Sequence, residues 1–377
     1  MDKNLTVLHG GLTIENSSNS LYSPECLTIH LSDQCNMYCA YCFTRQRMNS
    51  RTENINSIIK ERVVLKAAHL VARTCAEKSL PFHVVFHGGG EPTYHWELLK
   101  QLVSITKQVA SQYNIPWWGY IATNGILEDT QVIWIADNFN MIGLSCDGPP
   151  DIHNRQRPLN NNYPTFSHVQ KTASILVEKQ CPFTIRTTIT PESVSRQSEI
   201  IAFLNQYLFA SQFRFEPVYL VDYGNGGQKY AEDFVHYYIL AQAEAKKRSC
   251  LLSYSGSRPE ETHGSYCDVL RNVLRLTPEG NATNCFCSFG GESKTNLQNI
   301  IGWYDEIKDE YLIDHVKVSL LKHKAQIIPE YCHGCENENH CSHDCPDYCQ
   351  IIESNSQRNP GIRCLINKLV ARAYREN

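Results

Sequence analysis

Cys35, Cys39 and Cys42 fall in the segment Cys-Asn-Met-Tyr-Cys-Ala-Tyr-Cys. Three thiolates from one short loop can grip three corners of a cuboidal iron–sulfur cluster and leave the fourth iron open, where the amino and carboxylate groups of an amino acid could chelate. The same sulfurs with a distant fourth ligand would close a tetrahedral zinc site, so these residues alone leave both chemistries open. His87-Gly88-Gly89-Gly90-Glu91-Pro92-Thr93 combines backbone that a ligand can approach closely with one carboxylate. By itself it also reads as a glycine-rich turn opening a helix. A second cysteine set closes the chain: Cys267, Cys285, then Cys332-x2-Cys335-x5-Cys341-x3-Cys345, and Cys364. Here a zinc ribbon is the alternative to cluster ligation.

The elements that must hold these groups alternate. From Cys26 to about residue 220, short apolar runs are separated by longer segments of helical period, the pattern of repeated βα units. Strands are predicted at 26–32, 82–86, 118–122, 141–145, 182–188 and 213–218. Six parallel strands predict an α/β fold, a partial (β/α)6 TIM-type barrel followed by a cysteine-rich domain. Active sites of such barrels lie on the loops after the strand C-termini. Cys35 follows the first predicted strand, Gly88 to Glu91 the second, Asn124 the third, and Ser145 and Asp147 the fourth. The sequence divides into an N-terminal segment at 1–25, the barrel at 26–222, a linker and helix at 223–250 that begins with the turn-like YGNGGQ, and the cysteine-rich domain at 251–377.

CxxxCxxC placed after a first barrel strand, with Tyr41 before its last cysteine, resembles the radical S-adenosylmethionine superfamily. Gly89, Gly90 and Glu91 are similar to that superfamily's GGE motif, which implies binding of the cofactor's methionine amino group. Asn124 in Ala122-Thr123-Asn124-Gly125 and Ser145 in Gly143-Leu144-Ser145-Cys146-Asp147-Gly148-Pro149 also resemble family segments that touch the ribose and methionine, while Asp147 can be read as shaping the turn. Arg157 and Arg186 are the guanidinium candidates for the cofactor carboxylate, with a surface ion pair as the alternative for Arg186.

The second cysteine set matches the spacing of the SPASM extension, including Gly280 between Cys267 and Cys285. The resemblance therefore covers nearly the whole chain after about residue 25. It implies a distal auxiliary cluster on Cys332, Cys335, Cys341 and Cys364, and a nearer one on Cys267, Cys285 and Cys345. With the first site this makes three [4Fe-4S] clusters, alongside S-adenosyl-L-methionine. Related sulfatase-maturating enzymes take a fourth nearer-cluster ligand just upstream of the first SPASM cysteine. Residues 261–266 here contain no cysteine, so Cys250, Cys287, His263 or Cys349 is left to complete the site, or one iron stays open. Cys26, Cys75, Cys146 and Cys181 lie in or near apolar segments and read as buried small hydrophobes.

The resemblance implies that one electron enters the first cluster, the cofactor's sulfonium is cleaved, and a 5′-deoxyadenosyl radical removes a substrate hydrogen. SPASM proteins act mostly on peptides or proteins, so the leading expectation is a maturase that oxidises or crosslinks a side chain of a ribosomal peptide. An anaerobic sulfatase-maturating, formylglycine-forming enzyme is the alternative, lowered because that family has Asp after the second SPASM cysteine and Phe286 stands here. A non-catalytic iron–sulfur electron carrier is the third reading, and the glycines with Glu91 weigh against it. Expected partners are a peptide or protein substrate and an electron donor such as flavodoxin or ferredoxin; with the first cluster cysteine already at residue 35, leader binding is left to another surface or to a separate leader-binding protein, or the substrate is not leader-directed. Tyr219, Asp222 and Tyr223 follow the sixth predicted strand and could reach the barrel mouth, with a solvated loop as the default reading, and no general base stands out.

Composition narrows the classes. A net charge of −4 disfavours binding that rests on phosphate contacts, so no nucleic-acid partner is expected. No apolar run reaches a membrane span and the start lacks a secretory h-region, which predicts a cytoplasmic chain without membrane association. Seventeen cysteines in a reducing compartment favour metal or cluster ligation over disulfides.

Overall fold

The computed structural model describes residues 22–42, 44, 57–159, 162–218, 226–285, 298–343 and 361–376. Its architecture follows from period-two burial. In the strands Phe82–Phe86 (β2), Phe183–Ile189 (β5) and Gln212–Pro217 (β6), buried residues alternate with half-buried ones. Successive side chains of a strand point to opposite faces, so one face is sealed and the other borders a partly open interior.

The sealed face is aliphatic and aromatic. Phe82, Val84, Phe86, Ile185, Phe213 and Phe215 are almost wholly buried, as are Leu27 and Ile29 of β1 (Cys26–Ile29), Ile121 of β3 (Trp117–Thr123), and Ile142 and Leu144 of β4 (Met141–Ser145). They pack under helices α1 (Glu61–Glu77) and α2 (Trp96–Gln112), α3 (Asp129–Asn138), α4 (Pro150–Gln156), α5 (Phe166–Glu178) and α6 (Gln197–Leu208). Val64, Ala67, Ala68 and Val71 of α1 recur at helical spacing and are fully buried. Each fully buried large side chain contributes about 1.5–3 kcal/mol.

β1 to β6 are parallel neighbours in chain order, giving the six βα units read from the sequence. The parallel sheet then gains a strand at each edge. β7 (Leu251–Ser253) pairs with β6, and β8 (Val273–Leu276) pairs with β1, both parallel. Three antiparallel strands extend the sheet beyond β8: β9 (Ala282–Thr283), β10 (Ile300–Asp305) and β11 (Glu310–Ile313). The result is one open sheet of eleven strands, an unclosed barrel whose free edges are β11 and β7. Helices α7 (Gly227–Lys247), α8 (His315–Gln326) and α9 (Ile362–Glu376) complete the described residues. Among these residues no helix is long and apolar enough to cross a membrane.

Candidate active site

The first cysteine loop leaves the C-terminal end of β1 and is fastened to the last residue of α4 and the short segment beyond it. Tyr38 N donates to Pro158 O at 2.8 Å and Ala40 N to Gln156 O at 2.9 Å, while Met37 bridges Leu159. Within the loop Cys42 N donates to Cys39 O at 3.1 Å, and Met37 N to Cys35 Sγ at 3.4 Å. A sulfur that accepts a backbone N–H is stabilised as thiolate. Burial still dominates in the free protein, pushing the Cys35 thiol up to about 12 and Cys39 to about 11. Arg157 is the strongest charge opposing that rise at Cys39. Metal binding requires displacing those protons.

The glycine segment after β2 lies directly on this loop. Glu91 N donates to Gln34 O at 2.9 Å, and Gly89 N to His30 Nε2 at 2.8 Å. A Cβ at Gly90 would overlap the backbone carbonyls of Ser32 and Gln34, and one at Gly88 would overlap the His30 ring. Only glycine permits the approach. Glu91, 4% exposed, then caps a helical turn at Pro92–His95. Its Oε1 accepts from Thr93 N at 3.2 Å and Thr93 Oγ1 at 2.8 Å, and its Oε2 from Asn124 N at 2.7 Å. Burial raises its pKa against these donors. Asn124 reaches back to the cysteine loop, with Nδ2 2.7 Å from Asn36 Oδ1 and 3.8 Å from Cys35 Sγ.

Ser145 ends β4 in register with Arg186 on β5, and both are half-buried on the inner face. Arg186 Nη1 lies 3.4 Å from His87 Nε2. Burial, then Arg186, holds the His87 imidazole well below its usual range and so neutral. Asp147, beyond β4 and fully buried, ties several elements together. Its Oδ2 accepts from Tyr41 Oη at 2.6 Å and Gln156 Nε2 at 2.9 Å, its Oδ1 accepts from Thr188 N at 3.0 Å, and its own N–H donates to His153 Nδ1 at 3.1 Å. Arg157 Nη1 donates to Tyr41 Oη at 2.6 Å and lies 4.0 Å from Asp147 Oδ1.

The structure thus brings Cys35, Cys39 and Cys42 together with Gly90, Glu91 and Asn124 at one end of the sheet, with Ser145 and Arg186 side by side on the next two strands. Arg157 is engaged with Tyr41 beside Cys39. His30 and Gln156 are parts of the site that sequence reasoning missed, and no signal marked them; Tyr41 was legible in the cysteine motif, though not its bonds to Arg157 and Asp147.

Cys332, Cys335, Cys341 and Cys364 line one small cavity, shared with Asn337, Glu338, His343 and Lys368. Burial, then the neighbouring Cys364, Cys341 and Cys335, pushes the Cys332 thiol up to about 12. Asn367 Nδ2 donates to Cys341 Sγ at 3.0 Å and His343 N does so at 3.4 Å. Asn367 stands three residues after Cys364 on α9, hence on the same helical face, a signal the sequence did carry. Four convergent thiols could serve a zinc ion or an iron–sulfur cluster alike.

The backbone beside Cys267 is joined to that beside Cys285 by the bond from Asp268 N to Asn284 O at 3.0 Å, and Ser265 Oγ lies 3.2 Å from Cys267 Sγ. Cys250 packs beside Asn205, whose Nδ2 donates to its sulfur at 3.1 Å, and His263 Nε2 accepts from Arg258 N at 3.2 Å. Cys345, Cys287, Cys349, Tyr219, Asp222 and Tyr223 lie outside the described residues. Cys75, Cys146 and Cys181 are buried as expected, and Cys26 is half-buried.

An unclosed parallel barrel with a CxxxCxxC loop and a glycine–glutamate turn at its C-terminal end defines the class, and residues 29–204 match the Radical SAM superfamily. Residues 29–204 thus carry a domain that resembles the Radical SAM superfamily, over just under half of the chain. It is 23% identical over 176 residues to a cysteine-type anaerobic sulfatase-maturating enzyme of Clostridium perfringens, a match covering 46% of each chain. The chain thus spans about half the length of the curated relatives it matches. Two solved structures share the fold over a larger part. Native anSMEcpe with bound AdoMet and Cp18Cys peptide superposes with a TM-score of 0.68 at 17% identity, covering 93% of this chain and 97% of that one. Streptococcus suis SuiB bound to its precursor peptide SuiA gives 0.57 at 15% identity, covering 92% and 77%.

Proposed function

We propose that the chain is a SPASM-type peptide maturase that oxidises or crosslinks a side chain of a ribosomal peptide. Cys35, Cys39 and Cys42 would hold the first [4Fe-4S] cluster; Gly89, Gly90, Glu91, Asn124, Ser145 and Arg186 would receive S-adenosyl-L-methionine. When bound, cluster and cofactor supply a 5′-deoxyadenosyl radical able to remove a hydrogen atom. The protein's own work is positional. Glycine backbone brings a ligand against the cysteine loop, the β4 and β5 ends offer Ser145 and Arg186 in register, and the packed helical face keeps water from the sealed side of the sheet.

The observation that carries the reading is the seating of Gly90 on the Ser32 and Gln34 carbonyls, which joins the methionine-type motif to the cysteine loop. Cys332, Cys335, Cys341 and Cys364 around one cavity support a distal auxiliary cluster, and the backbone bond between Asp268 and Asn284, the neighbours of Cys267 and Cys285, supports a nearer one that Cys345 would share. Iron and acid-labile sulfide should then correspond to three clusters. Both structural neighbours hold a bound peptide, which supports a peptide substrate here; the electrons would come from a flavodoxin or ferredoxin.

Formylglycine formation is the second reading, favoured by the curated relatives and opposed by Phe286 after Cys285. Mass spectrometry separates the two. Incubated anaerobically with reductant, the reconstituted chain should remove two hydrogens from a short peptide encoded beside its gene. Loss of one sulfur and two hydrogens with gain of one oxygen at a cysteine of a sulfatase peptide, with the neighbouring peptide untouched, would establish the alternative.

A further inference from the structure

Two buried charges of opposite sign flank the first cysteine loop. Arg157 and Asp147 both bond Tyr41, the residue between Cys39 and Cys42 that directly precedes the last cysteine of the loop. They are joined through one hydroxyl: Tyr41 Oη accepts from Arg157 Nη1 at 2.6 Å and donates to Asp147 Oδ2 at 2.6 Å. Asp147 is in turn fixed by Gln156 and by the Thr188 backbone, so the pair cannot drift from the loop. Arg157 is 9% exposed and Asp147 is fully buried, and charges so poorly screened act strongly on neighbours. Thr165 Oγ1 also donates to the Arg157 carbonyl at 2.6 Å, anchoring its backbone.

We propose that Arg157 is a positioning residue that raises the reduction potential of the cluster on Cys35, Cys39 and Cys42, with Asp147 as its counterweight, rather than a grip on the cofactor carboxylate. The effect is electrostatic. Reduction adds one electron, supplied by an external one-electron donor, and makes the cluster more negative by one charge. A fixed cation beside Cys39 favours that form, and a fixed anion opposes it. Arg186, in register with Ser145, is left for the carboxylate.

The inference rests on the cluster reading of the loop, and its test keeps the two apart. The full chain, reconstituted anaerobically without S-adenosylmethionine, is titrated with dithionite and mediators while EPR follows the signal that disappears in Cys35→Ala. Absence of that signal from the wild type would refute the cluster reading itself. With the signal present, Arg157→Gln should lower the midpoint about tenfold in the reduced-to-oxidised ratio, some 59 mV for one electron. Arg157→Lys should stay near wild type, and Asp147→Asn should move the other way. Shifts of Arg157→Gln and Asp147→Asn in one direction, or a fall in Arg157→Lys equal to that in Arg157→Gln, would mean a packing role only and overturn the proposal. If Asp147→Asn fails to keep its cluster, the lysine–glutamine pair decides alone.

Discussion

The two cysteine regions are built in opposite ways. The barrel loop is fastened by protein alone, through Tyr38 and Ala40 on the 156–158 backbone, Tyr41 on Asp147, and the glycine segment on Ser32 and Gln34. Around Cys332 to Cys364 the elements are short, a helical turn at Glu330–Cys332 and the start of α9, and four sulfurs face one cavity. Burial pushes the thiols up at both, Cys35 and Cys332 each to about 12, so the contrast lies in the scaffold and not in the protonation of the sulfurs.

The comparison breaks most visibly on removal of metal. Anaerobic chelation should open the region after about residue 255 to proteolysis by more than tenfold while the barrel fragment persists, as read by limited trypsin digestion and mass spectrometry. Equal loss of both regions would show that the barrel also depends on its cluster. A smaller effect is expected from Gly90→Ala, whose methyl has to push the Ser32 and Gln34 carbonyls aside. Overpacking of this kind costs about 1–3 kcal/mol. Calorimetry should find S-adenosylmethionine binding weakened at least tenfold, with the auxiliary cluster content unchanged.

The smallest effect concerns pH. Burial, then Arg157, holds His153 at about 3, against 6.5 when unfolded, so it folds neutral and must stay so. Its contribution is fully present above pH 6.5 and is lost as pH falls toward 3, amounting to about 2 kcal/mol by pH 5. His263, held at about 4 by burial and then Arg258, has the same sign in the cysteine-rich region. Urea unfolding of the barrel, read at pH 7 and pH 5, should lose most of this difference in His153→Gln and keep it in His263→Gln.

Much of this was legible in the sequence for a physical reason. β2 and β4 match their predicted spans because period-two apolar runs end at glycine or polar residues. β1 stops at Ile29 instead of 32, since His30 to Ser32 already turn toward the glycine segment. β7 and β8, of three and four residues, carry too few alternations to register, and only their pairing with β6 and β1 defines them. The cysteines and Glu91 announced themselves by spacing. The Tyr41–Asp147 bond joins residues 106 apart, and no local pattern encodes such a partner. Asn367 was within reach, three residues beyond a cysteine on a helix.

The central claim is that the barrel loop and the glycine–glutamate turn form one cofactor-cleaving site. Its most direct test is 5′-deoxyadenosine release from S-adenosylmethionine by the anaerobically reconstituted chain with dithionite, quantified by liquid chromatography. Release should accompany the wild type and fall at least about a thousandfold, some 4 kcal/mol in barrier, in the Cys35→Ala, Cys39→Ala, Cys42→Ala triple variant with auxiliary iron retained. A wild-type chain with its first cluster filled that releases none, or a triple variant that releases as much, would contradict the account.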